Sequence, residues 1–155
     1  MYRRIVLAYD GSLEGRIALR EGALLARACG AQVYLLSVLP VMGPIAMADA
    51  LSAGPLAHQA EHFQSVFDEG VRKLTAFGLP PVARLTQGEP TRAISAFAHE
   101  VRADLVVVGH RKQSLAQRWW SGASGAYLVD NLDCSVLVAR LQVDDTALHA
   151  AFDAT

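Results

Sequence analysis

Short apolar runs alternate along this chain with longer stretches in which apolar residues return every three or four positions. The runs Ile5-Val6-Leu7-Ala8, Val33 to Val38, Val82 to Thr86, Leu105 to Val108 and Ser135 to Ala139 predict strands. The first, second and fourth are almost continuously apolar, the pattern of strands buried on both faces. Between them the period changes to that of a helix. Leu13, Ile17, Leu24, Leu25 and Ala28 fall on one stripe that begins after Ser12, a good N-cap residue, and ends at Gly30. Phe63, Phe67, Val71 and Leu74 mark a second helix, stopped by Gly78 and Pro80-Pro81. A third opens at Gly88-Glu89-Pro90, with Pro90 in its first turn and Ile94, Phe97, Ala98 and Val101 inward. The fourth runs from Gly122 to about Asn131. The segment from Leu39 to Pro55 is long for a connection and rich in Pro and Gly, which reads as a lid or a mobile loop.

Strands alternating with helices demand right-handed crossovers, hence an α/β domain with a parallel sheet covered on both faces. The expected fold is one doubly wound five-stranded sheet, order 3-2-1-4-5, over residues 1–141, followed by a tail, 142–155, with helical character near Leu148 and Phe152. In such sheets a ligand lies at the carboxyl ends of the strands where the winding reverses. That point falls between strands one and four, and it receives Asp10 and Gly11 from one side and Val108, Gly109 and the following loop from the other. Val38, at the end of strand two, is adjacent.

Composition narrows the class. The 155 residues carry a net charge of −1, so no global field recruits nucleic acid or an anionic membrane. The N-terminal apolar run is too short for a signal sequence, and no stretch reaches the roughly 20 residues of a membrane span. A cytoplasmic location is expected. Cys29 and Cys134 make no disulfide framework and read as reduced thiols.

Enzyme motifs fail on inspection. Gly122-Ala123-Ser124-Gly125 lacks the spacing and the leading strand of a nucleophile elbow, and no Gly-Lys-Ser/Thr follows a glycine-rich turn. His58 and His62 have helical i, i+4 spacing, but Gln59 stands where a zinc protease needs its carboxylate. His110, Trp119-Trp120 and the basic residues Arg111, Lys112 and Arg118 read as surface and loop-anchoring groups. No catalytic constellation and no metal site emerge, so the expected activity is binding.

An opening Ile5-Val6-Leu7-Ala8-Tyr9-Asp10-Gly11-Ser12, a Gly88-Glu89-Pro90 turn, Val106-Val107-Val108-Gly109 before a loop, and a closing Ser135-Val136-Leu137-Val138 together resemble the universal stress protein family over roughly Arg3 to Arg140. The resemblance implies the adenine-nucleotide α-hydrolase-like fold, a stress-response role and a cytoplasmic homodimer. One branch of the family binds ATP or AMP; another binds no nucleotide and leaves action through protein partners as the alternative. The nucleotide-binding branch carries a glycine, two residues, a glycine, nine residues, then glycine and Ser or Thr. Gly109 matches the first glycine and Gly122 the third, while Lys112 occupies the second and Ala123 the Ser/Thr position, with Ser124 one residue later. Asp10 matches the aspartate that faces the adenosine, and Val38 the residue whose backbone meets the adenine.

Two of the four phosphate positions are therefore replaced. A lysine forced into a glycine conformation carries strain of order 1–3 kcal/mol. Ala123 removes a hydroxyl donor but keeps its N–H, and a helix start still attracts an anion by about 0.3–1 kcal/mol. Together these losses predict a triphosphate affinity about tenfold to several hundredfold weaker, at 1.4 kcal/mol per decade. The apolar strand Ser135, Val136, Leu137, Val138, Ala139 lies at a sheet edge, where two-fold pairing with a second copy would cover it.

Overall fold

The computed structural model describes residues 1–41, 55–110 and 123–153. Its elements are β1 (Arg4–Ala8), α1 (Leu13–Cys29), β2 (Gln32–Pro40), α2 (Pro55–Ala76), β3 (Val82–Gly88), α3 (Pro90–Glu100), β4 (Leu105–Gly109), α4 (Ala123–Asp130), β5 (Ser135–Ala139) and α5 (Asp145–Asp153). The five strands are parallel in the order β3-β2-β1-β4-β5, as the alternation predicts. Period-two alternation distributes β1 between the two faces. Ile5, Leu7 and Tyr9 join α1, α2 and the end of α5 in one core, while Val6 joins α3 and α4 in the other.

Strand β2 runs to Pro40, past the expected end at Val38, because β3 pairs with it to the last residue, Pro40 opposite Gly88. Proline lacks a donor but is tolerated where a strand ends. Helix α1 has the expected caps: the Ser12 hydroxyl accepts from the Gly15 N–H, and Gly30 closes the helix in the left-handed conformation. Its inner face is not the expected stripe. Leu13 is 69% exposed and Ala28 lies outside, whereas Gly15, Ala18, Leu19, Gly22, Ala23 and Ala26 are buried. The helix seats its small residues against the sheet, which brings the two backbones close, and its larger apolar side chains flank the seam. Helix α2 shows a similar displacement: Val66, Gly70 and Leu74 form its innermost row, with Phe63, Phe67 and Val71 half-buried beside it.

Glu89, read in the sequence only as part of the turn that opens this helix, is the N-cap of α3. Its carboxylate accepts from the Thr91 N–H (3.1 Å), the Arg92 N–H (2.9 Å) and the Thr91 hydroxyl (2.7 Å). Val101 packs half-buried against the core, as expected, and also caps the other end of that helix. The C-terminal segment is more than a tail: α5 packs along α1, Leu148 is fully buried, and Phe152 stacks on Phe77 at 5.3 Å beneath the Arg27 guanidinium.

Candidate nucleotide site at the carboxyl edge of the sheet

The reversal of winding lies between β1 and β4, where Leu7 pairs with Leu35 on one side and Val107 on the other. Three contacts fix the end of β1. The Tyr9 N–H donates to the Leu36 carbonyl at 2.9 Å, and the buried Ser37 hydroxyl donates to the Tyr9 carbonyl at 2.8 Å. Asp10 then turns the chain into α1: its Oδ1 accepts from the Ser12 N–H at 3.0 Å and from the Ser12 hydroxyl at 2.5 Å. Gly11 follows at φ +73°, a conformation that favours glycine.

Gly15 has a specific reason to be glycine. A Cβ there would collide with Oδ1 of Asp10, so the bare backbone makes room for the carboxylate over the first turn of α1. Gly109 has another. A Cβ on it would stand 2.5 Å from the Glu14 carbonyl oxygen and 3.0 Å from the Gly15 nitrogen. The end of β4 and the start of α1 thus touch backbone to backbone, and the crevice walls are set by that contact. Val38 and Val108, 6% and 5% exposed, present their side chains to the α3 and α4 core beside it. Helix α4 begins at Ala123, with Ser124 its second residue. Lys112 and Gly122 lie outside the described residues, as do Arg111, Arg118 and Trp119-Trp120. Asp10, Gly11, Val38, Val108, Gly109 and the start of α4 therefore all sit at the carboxyl ends of the strands or open the helices there.

Two residues that the sequence left unassigned support this edge. The Glu21 carboxylate accepts from the Arg140 and Leu141 N–H groups, each at 3.0 Å, and ties the exit of β5 to α1. The Arg140 guanidinium lies 2.9 Å from Nε2 of His110, within hydrogen-bond reach. Neither had a signal in the sequence, because both partners in each pair are brought together by the sheet.

Elsewhere the candidate chemistry dissolves into packing. His58 Nδ1 lies 3.7 Å from Glu61, and both are exposed. Among the described residues no three His, Cys, Asp or Glu side chains gather as metal ligands. Burial, with Asp104 and Asp133 nearby, pushes the Cys134 thiol up, which disfavours the thiolate and so nucleophilic chemistry. Among the described residues no helix is long and apolar enough to cross a membrane.

A model of the universal stress protein family matches residues 1–140. The chain belongs to that family. A universal stress protein of Methanocaldococcus jannaschii is 25% identical over 142 residues, covering 90% of this chain and 83% of the relative. Among solved structures, the universal stress protein UspA of Lactobacillus plantarum superposes with a TM-score of 0.71 at 24% identity, over 90% of this chain and 98% of that one. A universal stress protein solved in complex with cAMP gives 0.66 at 22% identity, over 91% and 99% of the two chains. The family match ends at Arg140, so this universal stress protein carries α5 beyond it.

Proposed function

We propose that this universal stress protein is a cytoplasmic stress-response dimer that holds an adenine nucleotide, AMP or ATP, in the crevice between the ends of β1 and β4, and that it acts by binding. The observation that carries the proposal is the convergence of Asp10-Gly11, Val38, Val108-Gly109 and the first turn of α4 on the edge where the winding reverses. Proteins of the same fold have been solved with cAMP, dAMP and AMP. The N-terminus of α4 supplies N–H groups and the positive end of its dipole to a phosphate. With Lys112 and Ala123 in place of a glycine and a hydroxyl, the second and third phosphates add little. Binding rather than catalysis fits the hydroxyl–carboxylate pair at the end of β1. The oxygen of Ser12 that donates to Asp10 also accepts from Gly15, which suits a helix cap better than a nucleophile. Titration calorimetry is the test. ATP is expected to bind no tighter than AMP, and absence of heat with AMP, ADP and ATP at millimolar concentration overturns the proposal.

A second reading, a dimer that acts through protein partners without nucleotide, is favoured by one observation: Asp10 and Gly109 already have internal roles, in the α1 turn and the α1–β4 contact. Under either reading the dimer forms through the β5 edge. Val136, Leu137 and Val138 are only half-buried there, and Leu141, just beyond the strand, is 60% exposed. Leu137→Lys should convert a sedimenting dimer into a monomer; a dimer that survives this change uses another surface.

A further inference from the structure

Strands β4 and β5 stay in register to their last residues, with Gly109 opposite Ala139. The next residue of each, His110 and Arg140, is therefore level with the other just past the carboxyl edge. Their side chains meet there, the Arg140 guanidinium 2.9 Å from Nε2 of His110. Two basic groups gain nothing from each other's charge. Among the described residues no carboxylate lies within ion-pair distance of this guanidinium. Glu21 serves the main chain instead: its Oε2 accepts from the Arg140 and Leu141 N–H groups, each at 3.0 Å, and so fixes where the Arg140 side chain starts. A guanidinium carries five N–H donors in a planar fork. The imidazole nitrogen meets one of them, and the residue is exposed. The edge thus holds a positive charge with donors to spare and no acid to neutralise it.

Sheet order sets what this charge can reach. The strand ends β2, β1, β4 and β5 follow one another in a row, at intervals of about 4.8 Å. Val38 near the end of β2 and Asp10 after β1 are the positions that the adenine-nucleotide reading gives to the adenosine. A nucleotide laid across them carries its phosphate over the next strand end, that of β4, where Gly109 and His110 stand. The chain that leaves β4 there returns as α4, which runs back to the start of β5, so the first turn of α4 also opens on the carboxyl side. Arg140 lies one strand further along the row. Its contact with His110 bridges the gap from β5 to β4 and brings the guanidinium to the place the phosphate would occupy.

We propose that Arg140, seated beside His110, is the phosphate-reading cation of the site, and that it selects a nucleoside 5′-monophosphate over the free nucleoside and over a cyclic phosphodiester. This rests on the adenine-nucleotide reading above. The guanidinium fork matches two oxygens of one phosphate. A monoester, with a charge of about −1.5 to −2 at pH 7, is held more strongly than a cyclic diester, which carries a single charge and has two oxygens tied up in its ring. Titration calorimetry on the full chain with AMP, adenosine and cyclic AMP tests the assignment. The wild-type protein should bind AMP about tenfold tighter than the other two, the lower end for charge-assisted hydrogen bonds because the side chain is exposed. Arg140→Gln should remove that margin and leave adenosine binding unchanged. The melting temperature should hold, since Glu21 grips main-chain N–H groups that glutamine keeps. The Nε–Hε resonance of Arg140 should shift on addition of AMP and stay in place with adenosine. Equal AMP affinity in the wild type and Arg140→Gln, or AMP and adenosine weakened alike, overturns the role of Arg140 alone. A wild-type protein that binds none of the three ligands overturns the nucleotide reading and this assignment with it.

Discussion

Gly109→Ala is expected to destabilise the ligand-free protein by about 3 kcal/mol, the upper part of the range for forcing a methyl group into a packed interior. The new Cβ would stand 2.5 Å from the Glu14 carbonyl oxygen and 2.6 Å from its carbon. Both belong to backbone, and neither can rotate away as a side chain could. The first turn of α1 is pinned where it is by the Ser12 cap on Gly15 and by Asp10 on Ser12. On the other side, β4 is held between β1 and β5, with Gly109 opposite Ala139. Relief would require α1 to rise off the sheet, and on its inner face of Gly15, Ala18, Leu19, Gly22, Ala23 and Ala26 only Leu19 has a long side chain to follow the movement. Urea unfolding without nucleotide measures the effect. A midpoint within about 0.5 kcal/mol of wild type would mean that the contact can relax and that Gly109 is there for the ligand alone.

The second large effect is expected from a residue outside the family match. Leu148→Ala should cost about 3 kcal/mol, as for other fully buried leucines truncated to alanine. Leu148 has no exposed surface, and Phe77 and Arg27 grip Phe152 one turn further along α5. Leu141→Ala is the internal control: that side chain is 60% exposed and its loss should stay within about 0.5 kcal/mol. Equal midpoints for the two variants would show that α5 contributes nothing to the fold. A large difference makes the helix an integral part of this domain. Because stability of a domain is typically about 5–15 kcal/mol, either variant removes a substantial share of it.

Much of the fold was legible from local pattern. Continuous apolar runs cannot be exposed on either face, so β1, β2 and β4 had to be central strands, and crossover handedness left few ways to arrange them. Ser12 and Gly30 are chemically suited to begin and end a helix wherever it packs. The same topology put Asp10 and Gly109 at the reversal point. The inner faces of α1 and α2 were not legible in this way. A hydrophobic stripe weights large residues, and here the closest approach to the sheet is made by Gly15, Ala18, Gly22 and Ala23 on one helix and by Gly70 on the other.

What the chain alone determined is therefore the architecture and which residues reach the carboxyl edge where the winding reverses, because period, caps and turns act within a few residues of one another. Distance in space decided the rest. Gly15 yields to the Asp10 carboxylate, Gly109 yields to the backbone of Glu14, and Glu21 holds Arg140. Each of these is a contact between elements whose separation depends on how closely the helices seat on the sheet, and that depends on the whole packed core at once.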